Sequence, residues 1–103
     1  GNIELLGIGL QNHIPIQIVD ERNRIRMIGA GITIEKEKQF GKFVSLIPYT
    51  NVVKGLTLTG FKYPLDHYDF RGFCSLGVSN EIIAESAQIT FEDGILIVIE
   101  ARD

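Results

Sequence analysis

An all-β fold, an antiparallel β-sandwich, is what the sequence predicts, and three observations predict it. Apolar side chains recur with a period of two along most of the chain, turn residues break these runs at roughly 8 to 12 residue spacing, and no helical pattern separates one strand from the next. The chain has 103 residues, 45% of them hydrophobic and 22% charged, with 11 Gly and 3 Pro. That is one domain with enough apolar material for a core, and it excludes intrinsic disorder.

The start of the chain is the exception. Ile3, Leu6 and Leu10, with Leu5 beside them, follow a helical spacing behind Asn2 as an N-cap candidate, and Gly7 and Gly9 weaken the pattern. Residues 1–13 are therefore read as a short helix left from a missing element, and residues 14–103 as the sandwich domain. Ile14, Ile16 and Ile18 then alternate with Pro15, Gln17 and Val19, and the segment from Asp20 to Asn23 supplies a turn. Ile25 and Met27 alternate with Arg24 and Arg26 on the return, which makes the two arginines a solvated face. Gly29 and Gly31 mark a bend, and Ile32 and Ile34 form the next strand before the charged connection from Glu35 to Lys38.

Phe43 to Ile47 is a β-rich run stopped by Pro48, Leu56 and Leu58 alternate with Thr57 and Thr59 before Pro64, and Phe73 to Val78 gives another short strand. Ala87, Ile89 and Phe91 alternate with Gln88 and Thr90, Asp93-Gly94 matches a two-residue hairpin loop, and Ile95 to Glu100 returns. Apolar at every position from Ile95 to Ile99, this last strand is expected to be covered on both faces.

Charge and length limit the partners. Ten Lys and Arg against 13 Asp and Glu give a net charge of -3, without the basic stripe that binds a phosphate backbone, so nucleic acid is not expected. The apolar runs fall far short of the roughly 20 residues that span a bilayer, so the chain is expected to be soluble, with no membrane partner. A single cysteine, Cys74, allows neither an internal disulfide nor a multi-cysteine metal site, and this fits a cytoplasmic setting.

Few segments offer chemistry. Asp66-His67-Tyr68-Asp69 gathers two carboxylates and an imidazole and reads as a polar loop rather than a metal site. His13 reads as a surface or helix-end residue, and Cys74 as a buried thiol with no sequence neighbour to activate it. Gly7-Ile8-Gly9 follows no strand and completes no phosphate-binding pattern. Two segments stand apart: Thr57 to Leu65 places a lysine and a tyrosine on opposite faces just before a proline, and Leu76 to Glu81 ends an apolar strand in three polar side chains. A polar strand end beside an aromatic is a candidate small-molecule pocket.

In these two segments the sequence resembles a known family, the C-terminal thiamine-binding domain of thiamine pyrophosphokinase. Gly60-Phe61-Lys62-Tyr63-Pro64-Leu65, then Gly77-Val78-Ser79-Asn80-Glu81 about a dozen residues later, then Phe91 to Ile99 with its Gly94 turn, are similar to the bacterial form of that domain. The hairpin from Ile16 to Ile28 is also similar to the family's entry into it. The resemblance implies an enzyme that transfers pyrophosphate from ATP to thiamine, giving thiamine diphosphate and AMP. It also implies a homodimer in which thiamine sits between this sandwich and the N-terminal α/β domain of the other subunit. The segment of residues 1–13 would then be the remnant of that α/β domain, which carries the residues for Mg²⁺ and ATP. Carried over by position, Tyr63, Ser79 and Asn80 approach thiamine, and Lys62 and Glu81 are motif positions without an assigned role. No catalytic residue and no metal ligand is implied within this chain. The competing expectations are a sandwich interaction module with no ligand, and a carbohydrate-binding sandwich, for which three tyrosines and no tryptophan are sparse.

Overall fold

The computed structural model describes residues 17–72 and 79–102. The predicted N-terminal helix, His13, Cys74, half of the predicted strand from Ile14 to Val19 and most of that from Phe73 to Val78 lie outside them. Nine strands are described: β1 (Gln17–Val19), β2 (Asn23–Ile28), β3 (Ile32–Glu35), β4 (Phe43–Pro48), β5 (Val52–Thr59), β6 (Leu65–Arg71), β7 (Asn80–Glu81), β8 (Ser86–Thr90) and β9 (Leu96–Ala101). They form two antiparallel sheets, of order β1-β2-β9-β4-β7 and β3-β8-β5-β6. The β-sandwich expected from the two-residue period is the observed fold.

Alternation sets what each sheet buries. Val44, Leu46, Leu96 and Val98 from the first sheet meet Leu56, Leu58, Phe70, Ala87 and Ile89 from the second in one core. The expectation for the last strand holds as well: β9 runs between β2 and β4, and its outward Ile97 is buried with Met27 under Ile25, Ile47 and Ile99. Gly55 (φ 66°) stands at a register break in the β5–β6 pairing, where the extra residue keeps Val53 and Leu56 both inward.

Three local expectations are corrected. Asp93-Gly94 does not close a hairpin, because β8 pairs with β3 and β5 while β9 pairs with β2 and β4, so the chain there crosses from one sheet to the other. Lys54 grips the crossing from β5 by accepting from the Glu92 N–H at 2.8 Å and donating to the Asp93 carbonyl at 2.9 Å. Gly94 (φ 111°) passes so close that a Cβ would lie 2.7 Å from the Val52 carbonyl oxygen. Alternation and a turn dipeptide cannot distinguish a hairpin from such a crossing; a strand apolar on both faces needs the centre of a sheet.

Asp66 to Asp69 is not a loop but part of β6, an edge strand, where its charges discourage pairing with another chain. Finally, Arg24 and Arg26 do not form a solvated face. In register Arg24 faces Glu100 across β9, on the inward side, and the outward side carries Ile25 and Met27.

The β1–β2 turn closes as read from sequence. Asp20 Oδ1 accepts the backbone N–H groups of Arg22 (2.8 Å) and Asn23 (2.7 Å). Those two bonds hold its carboxyl below the ordinary value of 3.8. Because the folded-state value is depressed, this contribution to stability is complete above the unfolded-state pKa and is lost as pH falls through the folded one. An NMR titration should therefore show the Arg22 and Asn23 amides moving together with a midpoint below 3.8, and Asp20→Asn should abolish the transition. A midpoint at or above the ordinary value would contradict this role for the turn.

Candidate functional site

Gly60 (φ 79°) ends β5 in a left-handed conformation, and a Cβ there would lie 2.4 Å from the Ser86 carbonyl oxygen. The chain can therefore pass tightly against β8, and the Gly60 carbonyl accepts the N–H groups of Ile83 (2.9 Å) and Ala84 (3.3 Å). Phe61 bridges Ile82 and is buried, so the following Lys62 and Tyr63 are presented outward from a fixed base.

Asn80 completes that base. It lies in β7 at the edge of the first sheet, paired with Val44, and is 1% exposed. Its Oδ1 accepts the N–H of Tyr63 (2.9 Å) and that of Glu81 (3.0 Å), and its Nδ2 donates to the Tyr63 carbonyl (2.8 Å). A carboxamide offers two donors and two acceptor lone pairs, so both acceptor positions and one donor are taken by the backbone of the site itself. Lys62 N–H donates to the Glu81 carbonyl at 2.8 Å, which ties the two sequence motifs together a second time. Ser79 takes a left-handed φ of 59° and donates its N–H to Ser45 Oγ at 3.3 Å, leaving the serine exposed at the rim.

Tyr63, 52% exposed, offers an aromatic surface, and Lys62 Nζ stands 5.4 Å from its ring centre. A cation is thus already drawn to the ring by its negative face. The two motifs meet through Asn80, whose side chain holds the Tyr63 backbone, and through Glu81, whose carbonyl takes the Lys62 N–H; Ser79 precedes Asn80 in the chain. The result is an exposed aromatic ring on a backbone held by a buried carboxamide.

Other candidates do not join it. His67 Nδ1 pairs with Asp66 Oδ1 at 2.6 Å on the exposed edge strand, and Asp69 Oδ1 accepts the Gly55 N–H at 3.1 Å. Among the described residues no group of three or more His, Cys, Asp or Glu is placed to hold a metal ion. Two contributors escaped the sequence reading: Ser45, hidden in an apolar run, and the Gly60 carbonyl. The one signal for the first is a lone hydroxyl between Val44 and Leu46.

The family description "Thiamin pyrophosphokinase, vitamin B1 binding domain" matches residues 31–96 of the chain. The chain belongs to that family. It is 39% identical over 104 residues to thiamine pyrophosphokinase of Bacillus subtilis (strain 168), covering 100% of this chain and 48% of that protein. In fold it is similar to the crystal structure of the Bacillus subtilis enzyme (TM-score 0.93, 38% identity, 100% and 48% coverage). It is likewise similar to thiamin pyrophosphokinase of Geobacillus thermodenitrificans (TM-score 0.87, 36% identity, 100% and 47% coverage). The yeast enzyme, at 16% identity and a TM-score of 0.73 over 97% of this chain and 34% of its own, shares the fold. The chain spans about half the length of the bacterial relatives it matches. Membership favours the ligand-binding reading over an interaction module, and among the described residues no helix is long and apolar enough to cross a membrane.

Proposed function

We propose that this domain holds thiamine for an enzyme that transfers pyrophosphate from ATP to the vitamin, releasing AMP. The observation that carries the reading is the exposed Tyr63 ring, its backbone locked to the second motif by Asn80 and its face already attended by the Lys62 ammonium. Thiamine carries a permanently cationic thiazolium and a flat aminopyrimidine. The thiazolium displaces the Lys62 ammonium from the ring, an interaction of about 0.5 to 2 kcal/mol, and the Ser79 hydroxyl meets the pyrimidine edge. Asn80 acts as a positioning residue. Its amide is spent on the Tyr63 backbone, so its contribution is the placement of the ring rather than the reading of the amino group.

Mg²⁺, for which no group of carboxylates is placed among the described residues, and ATP belong together in this proposal. They are assigned to an N-terminal α/β domain, of which residues 1–13 would be the end and residues 14–103 the complement. A homodimer with the vitamin between this sandwich and the α/β domain of a second subunit, in the cytoplasm, belongs to the same proposal. No membrane and no nucleic acid takes part.

Half a pocket binds weakly, because one wall desolvates only one side of the ligand. The 103-residue chain alone is therefore expected to release no AMP from ATP, thiamine and Mg²⁺, whereas a protein that joins it to the α/β domain should do so in proportion to thiamine. Thiamine-dependent AMP release by the isolated chain at the rate of the joined protein would overturn the division of labour.

A further inference from the structure

Three strands from Asn80 in the first sheet, the inward side of β2 carries two guanidiniums that share one carboxylate. Arg24 and Arg26 have side chains 28% and 21% exposed, and Glu100, between them on β9, is 1% exposed. One oxygen serves both: Glu100 Oε2 lies 3.3 Å from Arg26 Nη2 and 3.5 Å from Arg24 Nε. The other, Oε1, accepts the Phe40 N–H at 3.4 Å. Lys38 is matched by Glu35 at 3.1 Å. One positive charge is therefore left without a counter-charge in a half-buried place. Burial holds the Arg26 guanidinium below its usual range, and the neighbouring Arg24 adds to the effect while Glu100 opposes it.

The donors tell the same story. Nε of Arg24 and Nε of Arg26 are both buried and make no hydrogen bond within the described residues, the first having only its 3.5 Å ion-pair approach to Glu100 Oε2. Buried polar atoms are rarely left so, and an unpaired donor at a charged group points to an acceptor that arrives from outside. A cavity of about 350 Å³ opens there, bordered by Arg24, Arg26, Thr33, Ile34, Lys38 and the two carboxylates Glu35 and Glu100.

We propose that this cavity between β2 and β3 binds a small oxyanion of the phosphate class, held by Arg24 and Arg26 with Thr33 at its side. Guanidinium forks match tetrahedral phosphoryl oxygens, which supply enough acceptors for two Nε–H groups at once, and the surplus charge requires an anion. The space exceeds what acetate would fill and accommodates inorganic phosphate, pyrophosphate or a phosphate monoester. The site is independent of the thiamine reading and stands or falls without it.

The test is an NMR titration of the ¹⁵N-labelled 103-residue chain, following the arginine Nε–Hε signals. Inorganic phosphate, pyrophosphate, phenyl phosphate, acetate and chloride are added in separate arms at matched ionic strength. The Arg24 and Arg26 signals should move saturably with at least one of the three phosphorus compounds, at least tenfold more tightly than with acetate or chloride. Arg24→Gln should weaken that binding at least tenfold, and Lys36→Gln, which lies outside the cavity, should leave it unchanged. Should Arg24→Gln fail to fold, the wild-type signals decide alone. Unmoved arginine signals, equal response to acetate or chloride, or binding indifferent to Arg24→Gln would each overturn the site.

Discussion

Glu100→Ala is expected to lower the free energy of unfolding by about 3 kcal/mol, because it leaves two half-buried guanidiniums without their shared carboxylate. Loss of one partner from a fully buried pair costs more. Here both arginines retain some solvent, which screens their repulsion and lowers the figure. The Phe40 N–H loses its acceptor in the same step. Glu100→Gln keeps an oxygen for that N–H and the volume of the side chain, so it should cost distinctly less than Glu100→Ala. Urea unfolding followed by circular dichroism measures both, and a loss below about 0.5 kcal/mol for Glu100→Ala, the range of an ordinary surface change, would remove Glu100 from this account.

Asn80→Ala should cost about 2 to 3 kcal/mol and loosen the site at the same time. Three hydrogen bonds go, and the N–H and carbonyl of Tyr63 and the N–H of Glu81 lose their partner. Water replaces part of this at the exposed Tyr63, which keeps the figure below the full sum. The ligand effect separates positioning from recognition. In the protein joined to its α/β domain, thiamine and an analogue lacking the pyrimidine amino group should both lose about tenfold in affinity, since a displaced ring serves both equally badly. A loss confined to thiamine would mean that the remaining Nδ2 proton of Asn80, and not the placement of Tyr63, matters most.

These two residues also mark what was legible in the sequence. The sandwich was readable because β4, β5 and β8 bury alternate side chains, and β9 announced its central place by being apolar on both faces. Pairing was not. Asp93-Gly94 has the chemistry of a hairpin and performs a crossing, a choice made by contacts with Lys54 and Val52 that are remote in sequence. β6 was missed because an edge strand needs charges, and charges read as a loop.

For Arg24 and Arg26 the alternation was visible but its sign was inverted. Arginine at every second position normally faces water, and only Glu100, the one acidic residue closing the apolar run of β9, hinted at an inward pair. The two site motifs were legible as motifs. That Asn80 turns back onto the Tyr63 backbone was not, because the same residue types serve equally well for holding a ligand and for holding a loop.

The claim at the centre of this account is that the Tyr63 wall receives thiamine, and a thiamine titration of the ¹⁵N-labelled chain tests it most directly. Binding should be millimolar or weaker, with the amides of Lys62, Tyr63, Ser79 and Glu81 shifting together and saturating along one curve while those of β2 and the Asp20 turn stay in place. Saturable shifts located elsewhere, with Tyr63 and Ser79 unmoved, would contradict it.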